Sequence, residues 1–533
     1  MAKHYDVVVI GGGHNGLVHA AYLARAGLRV LVLERRHLVG GATVTEEIFP
    51  GFKFSVFSYV VSLLRPEIIR DLDLPRHGLM ILPLESTLTP LPDGDYLYRD
   101  ADPHRTMREI ARHSRRDAEA YGEYGMAMYR MARSVKYILG IVPPDPTTFR
   151  FSDLRDLLAF GRHLVSLGEE DLYLLAKLMT MSSADFVSEW FESDPLRATL
   201  AASGIIGTFL GVRSPGTAYV LLHHYMGELD GAFRAWGFAR GGTGAVAEAL
   251  ASAARAFGAE IRTNAPVMKV LTRDGVARGV VLEDGEEIPA SIVVSSLDPR
   301  HTFLRFLEPG ELPGEVVTAV RNYDVRGSSA KVNLALDGVP EFRCMPGQGP
   351  HLRGAISISP SVDYLERAYD EAKYGRYSRR PYIDIVIPSM IDPGMAPPGK
   401  HVMSCFVQYA PYDLQEGAWP EKREALGDTV IETLSTYIPN LKDLILHRQV
   451  MTPWDIEATT GLSQGNIFQG ELSLHQLFFF RPIPRYARYR TPVGNYYQCG
   501  SATHPGGGIL GAPGRLAALE VLEDLRRKGV EGS

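Results

Sequence analysis

The sequence is poor in cysteine and has no strong excess of charge of either sign. Its 533 residues include three cysteines, Cys344, Cys405 and Cys499, and no two of them have CxxC spacing. This pattern argues against a disulfide framework and against a metal site. The 56 Lys and Arg face 62 Asp and Glu, a net charge of −6. Such a chain offers no broad attraction to phosphate backbones, so we expect no nucleic-acid partner.

Long apolar runs are also missing. No stretch approaches the roughly 20 apolar residues that a membrane-spanning helix needs. The first expected strand begins at Tyr5, which leaves no room for a signal or transit peptide and favours a cytoplasmic location. The segment Met131–Leu178 mixes Leu and Ile with Arg and Lys. It is interpreted either as a solvated cap or as a surface for peripheral membrane contact.

The first feature that the sequence does contain is a strand, turn, helix and strand. Tyr5–Ile10 and Arg29–Leu33 are typical of buried strands, and Leu17–Ala26 has helical spacing. The turn between the first strand and the helix reads Gly11-Gly12-Gly13-His14-Asn15-Gly16. This G-x-G-x-x-G pattern, in this context, is typical of a dinucleotide-binding unit.

Each position of this unit has a physical role. Gly11 permits the sharp turn, Gly13 lets the backbone approach a pyrophosphate, and Gly16 lets the helix and strand pack closely. The start of the helix presents free N–H groups to the negative charge. Glu34 ends the second strand, where a carboxylate can bind ribose hydroxyls and would repel a 2′-phosphate.

The segment Glu34-Arg35-Arg36-His37-Leu38-Val39-Gly40-Gly41-Ala42 resembles the glutathione-reductase-type FAD-binding superfamily. Within it the chain is similar to the phytoene desaturase, flavin amine oxidase and pyridine-nucleotide-disulfide-oxidoreductase-domain-2 branches. The resemblance implies non-covalent FAD, with Glu34 at the adenosine ribose and Arg36, Gly40 and Gly41 along the AMP and pyrophosphate. Many relatives have Arg where this chain has Ala42, so one contact is lost or comes from elsewhere, with Arg35 as the candidate.

Two later segments extend the resemblance. The first, beginning at Gly241-Gly242-Thr243-Gly244, implies that Val267 contacts adenine through its backbone. The second runs from Gly500 to Gly514 and is similar to the family's C-terminal flavin motif. It implies that Gly500 and Ser501 lie at the pyrophosphate and Gly508, Ile509 and Gly511 at the isoalloxazine end. With His14 and Asn15 of the first turn, these residues complete the predicted cofactor site.

The predicted fold is α/β, with a Rossmann FAD-binding domain built from discontinuous segments, a mixed-sheet substrate domain and a helical cap. The FAD-binding parts are 1–75, 225–310 and 490–533. Helical patterns between about 95 and 220 place the cap and part of the substrate region in 76–224, and β-branched runs place the substrate sheet in 311–489.

Two features that some members of this superfamily use are missing from the sequence, and their absence limits the chemistry that we expect. The chain has neither a second G-x-G-x-x-G domain for NAD(P)H nor a redox CxxC, so the flavin is reduced by an organic substrate or cycles without net change. The leading hypothesis is a desaturase-like enzyme that passes hydride from an apolar, isoprenoid-like or long-chain substrate to flavin N5. A flavin amine oxidase and a flavin-stabilised scaffold without turnover are the alternatives.

Three residues are candidates for the substrate side of the flavin. His504 precedes the flavin-facing glycines and is the candidate acid or base. Tyr59 falls where relatives approach the flavin ring. His475 would share a helical face with Glu471 and could line the cavity. Structural roles are the alternatives for all three, and also for the adjacent His223 and His224.

Overall fold

The computed structural model describes residues 4–145, 151–229, 232–233 and 236–531. Its strands are β1 (Tyr5–Ile10), β2 (Val30–Leu33), β3 (Thr45–Phe49), β4 (Phe52–Ser55), β5 (Ile81–Pro83), β6 (Ser86–Pro90), β7 (Tyr96–Asp100), β8 (Glu228–Leu229), β9 (Ala232–Phe233), β10 (Gly237–Ala239), β11 (Glu260–Arg262), β12 (Val267–Arg273), β13 (Val276–Leu282), β14 (Glu287–Ser295), β15 (Ser329–Leu336), β16 (Ala355–Ile358), β17 (Tyr382–Val386), β18 (His401–Gln408), β19 (Ile445–Met451) and β20 (Tyr496–Gln498).

The helices are α1 (His14–Arg25), α2 (Pro66–Asp71), α3 (Pro103–Ala111), α4 (Arg115–Leu139), α5 (Phe151–Val165), α6 (Glu169–Thr180), α7 (Ser183–Ser188), α8 (Asp194–Ala201), α9 (Thr217–Tyr225), α10 (Gly244–Ala256), α11 (Gly314–Arg321), α12 (Val362–Lys373), α13 (Trp419–Ser435), α14 (Leu441–Leu444), α15 (Pro453–Thr460) and α16 (Ala512–Glu531).

The first sheet draws its strands from distant parts of the chain. Five of them, in the order β11-β2-β1-β14-β20, are parallel. Strand β14 also pairs antiparallel with β13, which pairs with β12. The expected Rossmann domain built from discontinuous segments is confirmed.

Alternating side chains bury both faces of this parallel sheet. On β1, Val7 and Val9 pack in one cluster with α1, α10 and α16, whereas Val8 and Ile10 pack with residues of β12 and β13. A strand covered on both sides reads as a continuous apolar run, which explains why Tyr5–Ile10 was recognisable in the sequence.

The second sheet is mixed and has the order β19-β15-β18-β17-β16-β6-β7. Its β16–β6 pair is parallel and its other pairs are antiparallel. One face is apolar: Val332, Leu334 and Leu336 of β15 pack in a cluster with α13. Because side chains alternate along a strand, Lys331 and Asn333 lie on the opposite face, which looks toward the cofactor domain.

The cap is a cluster of helices over that second face. Side chains from α4, α7, α8 and α9 form its buried core, while Leu158, Val165 and Tyr173 on its outside are 63%, 77% and 65% exposed. Every helix in the described part of the chain falls short of the length or the apolar character that spanning a bilayer requires. The predicted contact with a lipid surface stays a prediction.

Several strands were not expected from the sequence, and β7 and β12 are two examples. Tyr96–Asp100 lies where a helical pattern was predicted to begin, but it pairs along its whole length with β6. Val267–Arg273 pairs with β13 through two register shifts, and such irregular strands lack the clean alternation that identifies a strand. In both cases pairing with a neighbouring strand decides the local structure.

The close approach of α16 to α1 gives a stability prediction. A Cβ on Gly514 would lie 2.2 Å from the carbonyl oxygen of Asn15, whereas a Cβ on Gly122, an exposed residue of α4, meets nothing within 4 Å. We expect Gly514→Ala to lower the free energy of unfolding by about 1–3 kcal/mol through overpacking. The matched control Gly122→Ala should instead raise it by up to about 1 kcal/mol. Thermal unfolding of both variants checks this, and equal midpoints would contradict it.

Candidate active site

A cleft opens at the carboxyl end of the parallel sheet. Its lining includes most of the predicted cofactor residues, namely Gly11, Gly13, His14, Asn15, Gly16, Glu34, Arg35, Gly40, Gly41, Ala42, Val267 and Ser501. These residues come from the turn after β1, the end of β2, β12 and the turn after β20. The carboxyl edge of a parallel sheet is where α/β folds bind dinucleotides.

The three glycines of the first turn have different surroundings. Gly11 has a φ of +92°, in the left-handed region that favours glycine, and a Cβ on Gly16 would lie 2.3 Å from the Gly11 carbonyl oxygen. A Cβ on Gly13 meets no protein atom within 4 Å, although Gly13 lines the cleft. Gly11 and Gly16 are therefore required by the protein itself, whereas Gly13 leaves room for something else.

Glu34 is held rigidly at the end of β2. It is 6% exposed, and its two carboxylate oxygens accept hydrogen bonds from the backbone N–H of Gly12 at 2.8 Å and of Arg36 at 2.9 Å. The Arg36 side chain forms an ion pair with Glu46 at 2.8 Å and does not line the cleft. Arg36 therefore contributes its backbone N–H, not the expected guanidinium, to this region.

Arg35 lines the cleft but its guanidinium is engaged elsewhere. It donates to the carbonyl oxygens of Ala458 and Thr459, at 3.2 and 2.7 Å, near the C-terminal end of α15. Cations at that end of a helix satisfy free carbonyls. In this structure Arg35 links β2 to α15, so the suggestion that it replaces the missing phosphate contact is not supported by its hydrogen bonds.

The C-terminal motif closes the cleft from the other side. The Asn15 side-chain amide donates to the Ser501 hydroxyl at 3.0 Å across 486 residues of sequence. Gly500 lies directly behind, since a Cβ there would come within 2.4 Å of the Ser296 carbonyl oxygen. Gly511 was expected at the isoalloxazine end, but a Cβ on it would meet Ile68 at 2.8 Å, and it lines neither the cleft nor the cavity next to it. The structure gives Gly511 a packing role, and its place at the isoalloxazine end stays a prediction.

The cleft has the properties that FAD requires. The N-terminus of α1 supplies backbone N–H groups for a pyrophosphate, and Glu34 supplies a buried carboxylate for a ribose. His14 Nε2 and Asn15 Oδ1 are buried and find no hydrogen-bond partner among the residues that the structure describes. Burial also lowers the pKa of His14 to about 4, so the ring is neutral. Polar atoms of this kind need a partner, which a bound dinucleotide provides.

A second cavity, which we name the inner cavity, adjoins the cleft. His14, Ala42 and Ile467 line both, so the two spaces lie on either side of these residues. The walls of the inner cavity are mainly apolar and aromatic and include Tyr59, Ile206, Trp236, Phe406, Phe468 and Ile509. Gly508, predicted with Ile509 for the flavin end, lines it too. A flavin held beside Gly508 and Ile509 would adjoin this apolar chamber.

Tyr59 stands in the wall of the inner cavity, as the sequence predicts. Its hydroxyl donates to Asp384 at 2.6 Å, and its ring stacks on Phe406 with centroids 5.6 Å apart and planes 19° apart. Burial raises the pKa of Asp384 to about 7, although the hydrogen bond from Tyr59 opposes this. The pair is therefore a buried polar contact within an otherwise apolar wall.

Lys331 is a site residue that the sequence reasoning missed. It is 1% exposed, lines the inner cavity and donates from Nζ to the Ser55 carbonyl and the hydroxyl of Ser404. Burial lowers its pKa to about 7. Its Nζ lies 5.4 Å from the centroid of the Tyr59 ring. The sequence feature that could have identified Lys331 is that it is the one charged residue of its strand, Ser329–Leu336.

His224 was also assigned only a structural role. It lines the inner cavity, while its Nδ1 bonds the Val220 carbonyl at 2.9 Å. His223 points away and bonds the Gly507 carbonyl at 3.2 Å. Burial lowers the pKa of His224 to about 4 and that of His223 to about 3. Both rings are neutral, and the expectation that adjacent histidines face different surroundings holds.

The two histidines proposed for the substrate side lie elsewhere. His504 lines neither the cleft nor the inner cavity, and burial lowers its pKa to about 3, so it does not titrate near neutrality as expected. His475 is exposed and pairs with Asp324 at 3.0 Å, in a short turn (Leu474–Gln476) that does not include Glu471. Its placement in the cavity was wrong, because the helix that would have directed it inward does not form.

The three cysteines are free, and Cys405 and Cys499 are buried. Burial raises the pKa of Cys344 to about 11 and that of Cys405 to about 12. None of the three therefore has the lowered pKa of a reactive thiolate. The expectation that they are reduced structural residues agrees with these surroundings.

Gly13 allows a direct test of the cofactor site. Because a methyl group there touches no protein atom but enters the cleft, Gly13→Ala should fold normally and bind FAD more weakly. Losing one charge-assisted contact to a phosphate weakens binding by about tenfold to a hundredfold. Flavin absorbance of purified protein and titration of apoprotein with FAD measure the effect, and Gly122→Ala serves as the control. Unchanged FAD affinity in Gly13→Ala would contradict this assignment.

Comparison with known proteins agrees with this geometry. The family described as flavin containing amine oxidoreductase matches residues 16–522. The chain is 42% identical to pyridine nucleotide-disulfide oxidoreductase domain-containing protein 2 of Rattus norvegicus, over 99% of this chain and 94% of that protein. It is 29% identical to one subunit of the limonene dehydrogenase of Castellaniella defragrans, over 98% of this chain and 95% of that subunit. The solved structure of cyclohexylamine oxidase from Brevibacterium oxydans shares the fold, with a TM-score of 0.55, 17% identity and coverage of 98% and 100%. This chain belongs to the flavin-containing amine oxidoreductase family, with FAD as its cofactor.

Proposed function

We propose that this protein is an FAD-dependent dehydrogenase that oxidises an apolar organic substrate held in the inner cavity. The observation that carries the proposal is that an aromatic and aliphatic chamber adjoins the cofactor cleft and shares His14, Ala42 and Ile467 with it. Pockets of this composition bury most of an apolar ligand, while a few polar groups orient it.

The ionisable groups around the chamber favour an uncharged substrate. His224 is neutral at pH 7, since its pKa is about 4. Lys331 and Asp384 both have a pKa of about 7, so neither is fixed as a full charge. A cationic substrate would gain no permanent carboxylate partner and would lose its hydration. An apolar substrate has no such cost.

Dehydrogenation of a carbon–carbon bond removes a hydride and a proton from the substrate. Bound FAD supplies the hydride acceptor. The chain's own residues must exclude water, hold the substrate and take the proton. Lys331 lines the chamber. Its Nζ lies within hydrogen-bond distance of the Ser55 carbonyl, the Ser404 hydroxyl and the Asn333 side-chain oxygen, and above pH 7 it is an uncharged amine with a free electron pair. We assign proton removal to Lys331 on this geometry.

The relatives support the same substrate class. Limonene, in the name of the dehydrogenase that is 29% identical, is an isoprenoid hydrocarbon. We therefore extend the proposal to an isoprenoid-like or long-chain substrate.

An amine oxidase is the second candidate, favoured by the family match and by the shared fold with cyclohexylamine oxidase. An aromatic cage for an amine needs facing rings with space between them. Tyr59 and Phe406 instead stack directly, with centroids 5.6 Å apart, which leaves no gap for a ligand. Because of this contact, we rank an amine oxidase as less well supported than a dehydrogenase.

Anaerobic mixing separates these functions. The FAD-loaded protein is combined without oxygen with isoprenoid and long-chain alkenes on one side and with primary and cyclic amines on the other. We expect bleaching of the flavin absorbance with the first group. Bleaching by amines alone would overturn the proposal in favour of an amine oxidase. Isomerised alkene recovered without bleaching would indicate a flavin that cycles without net change, and no reaction with either group would favour a scaffold.

Lys331→Met tests the assigned proton acceptor. Below pH 7 the Lys331 side chain is an ammonium group and cannot accept a proton, so the wild-type rate of flavin reduction should rise with pH through about 7. Loss of a general base costs about 10²–10⁴-fold in rate, and the variant should lose this rise. Anaerobic stopped-flow measurements at pH values on both sides of 7 determine the rate and its pH dependence.

The matched control for this test is Lys400→Met, which removes an exposed lysine of the same domain that pairs with Asp337 and lines neither the cleft nor the inner cavity. Its rate and pH profile should equal those of the wild type. If Lys331→Met kept the wild-type pH profile, Lys331 would not be the base.

A further inference from the structure

Arg99 is a buried cation without a carboxylate partner. It is 6% exposed and lines a third cavity of about 520 Å³, which we name the outer cavity. Its Nη1 donates to the Tyr121 hydroxyl at 3.3 Å, and its Nε has no hydrogen-bond partner among the described residues. A buried charge is costly unless it is paired. The position therefore calls for a counter-ion that this part of the chain does not supply.

The carboxylates around the outer cavity are already engaged. Glu85 is bound by Arg353 at 2.6 Å, and Asp100 is paired with Arg105 at 3.3 Å. The third, Asp384, accepts from Tyr59. Each of the three is occupied with another partner, so Arg99 is left as the unneutralised charge of the cavity.

The outer cavity adjoins the inner cavity along one face of the second sheet. Lys331 lies opposite Phe406, Phe406 opposite Asp384, and Asp384 opposite Ser357. On the next two strands, Thr87 lies opposite Ala355 and pairs with Arg99. Arg99 is therefore two residues along from this row and, because side chains alternate along a strand, on the same face of the sheet. Lys331 and Arg99 stand on strands five positions apart in the sheet, so about 4.8 Å per strand separates them by about 24 Å.

The boundary between the two cavities is thin. Trp236 lines both, and Tyr59 of the inner cavity bonds Asp384 of the outer one. The rim of the outer cavity includes the exposed residues Glu85 and Ala101, so the outer cavity reaches the surface. A ligand with one end at Arg99 would have to pass between Tyr59 and Trp236 to reach the inner cavity.

We propose that the outer cavity binds the anionic head group, a carboxylate or a phosphate, of a long-chain amphipathic ligand whose apolar part enters the inner cavity. The guanidinium of Arg99 presents Nε and Nη donors that suit planar, bidentate binding of either anion. The assignment of the apolar part to a substrate rests on the dehydrogenase function proposed above. The anion site itself does not, because binding needs no turnover.

Binding to the FAD-loaded protein tests the proposal without any reaction. The probes are palmitate, hexadecyl phosphate and the uncharged hexadecanol, with affinities measured by calorimetry and by perturbation of the flavin spectrum. We expect at least one anion to bind about tenfold to a hundredfold more tightly than hexadecanol, the gain of a charge-assisted contact. The anion that binds with the higher affinity identifies the class of head group, carboxylate or phosphate. Equal affinities for all three probes would overturn the proposal.

Variants assign the preference to Arg99. Arg99→Met should bring the anions to the affinity of hexadecanol, and Arg99→Lys should retain part of the preference. The control Arg112→Met removes an equal charge near β7, from a residue that stacks on Tyr96 and does not line the outer cavity, and should change nothing. Loss of hexadecanol binding together with anion binding in Arg99→Met would show a structural role and contradict the proposal. If Arg99→Met does not fold, the comparison of the three probes on the wild-type protein still tests whether the site prefers an anion.

Anion binding and dehydrogenation can fail separately. If palmitate or hexadecyl phosphate binds through Arg99 and no alkene reduces the flavin, the anion site is supported and the dehydrogenase function is contradicted. If alkenes reduce the flavin and the protein binds charged and uncharged probes equally, the dehydrogenase function is supported and the anion site is contradicted.

Discussion

The contact between the first helix and the C-terminal motif is the constraint on which the site depends. Asn15 bonds Ser501 at 3.0 Å, His19 bonds the Gly514 carbonyl at 3.1 Å, and the missing side chain of Gly514 lets the two helices touch. Residues almost 500 positions apart thereby form opposite walls of one cleft. A dinucleotide in the cleft would contact both walls, so FAD would bind the folded chain in preference to the unfolded one and would stabilise it by mass action.

The second sheet couples that cleft to the substrate side. Its alternation sends Val332 and Leu334 into the core with α13 and leaves Lys331 on the opposite face beside Tyr59. Lowering the pKa of a lysine from 10.5 to about 7 is a cost of several kcal/mol in the folded protein. A merely structural strand would avoid that cost with an apolar residue at this position. The retained lysine is consistent with a functional amine, as perturbed groups beside a cavity usually are.

The sequence was sufficient for the first turn of the cofactor cleft because the signals there are local. Gly11, Gly16 and Glu34 are tied to one turn and one strand end, and their spacing alone defines their geometry. Lys331 and Arg99 belong to no such motif. Each is a single charged residue in a strand, and the face of the sheet on which its side chain lies depends on pairing with strands that are distant in sequence. His504 and His475 failed for a related reason: both lie in irregular segments, where the direction of a side chain is set by tertiary packing and not by periodicity.

One side chain holds the boundary between cofactor and substrate. Arg481 is fully buried and donates to the carbonyl oxygens of Phe468, Gly470, Glu471 and Ser501. Phe468 lines the inner cavity and Ser501 the cleft, so a single guanidinium fixes a wall of each. Burying that cation is tolerable only because several carbonyls satisfy its donors at once. Ile509, in the wall of the inner cavity, has a φ of 58°, a strained conformation for a β-branched residue. Such strain persists where the surroundings over-determine the backbone, which is characteristic of functional loops.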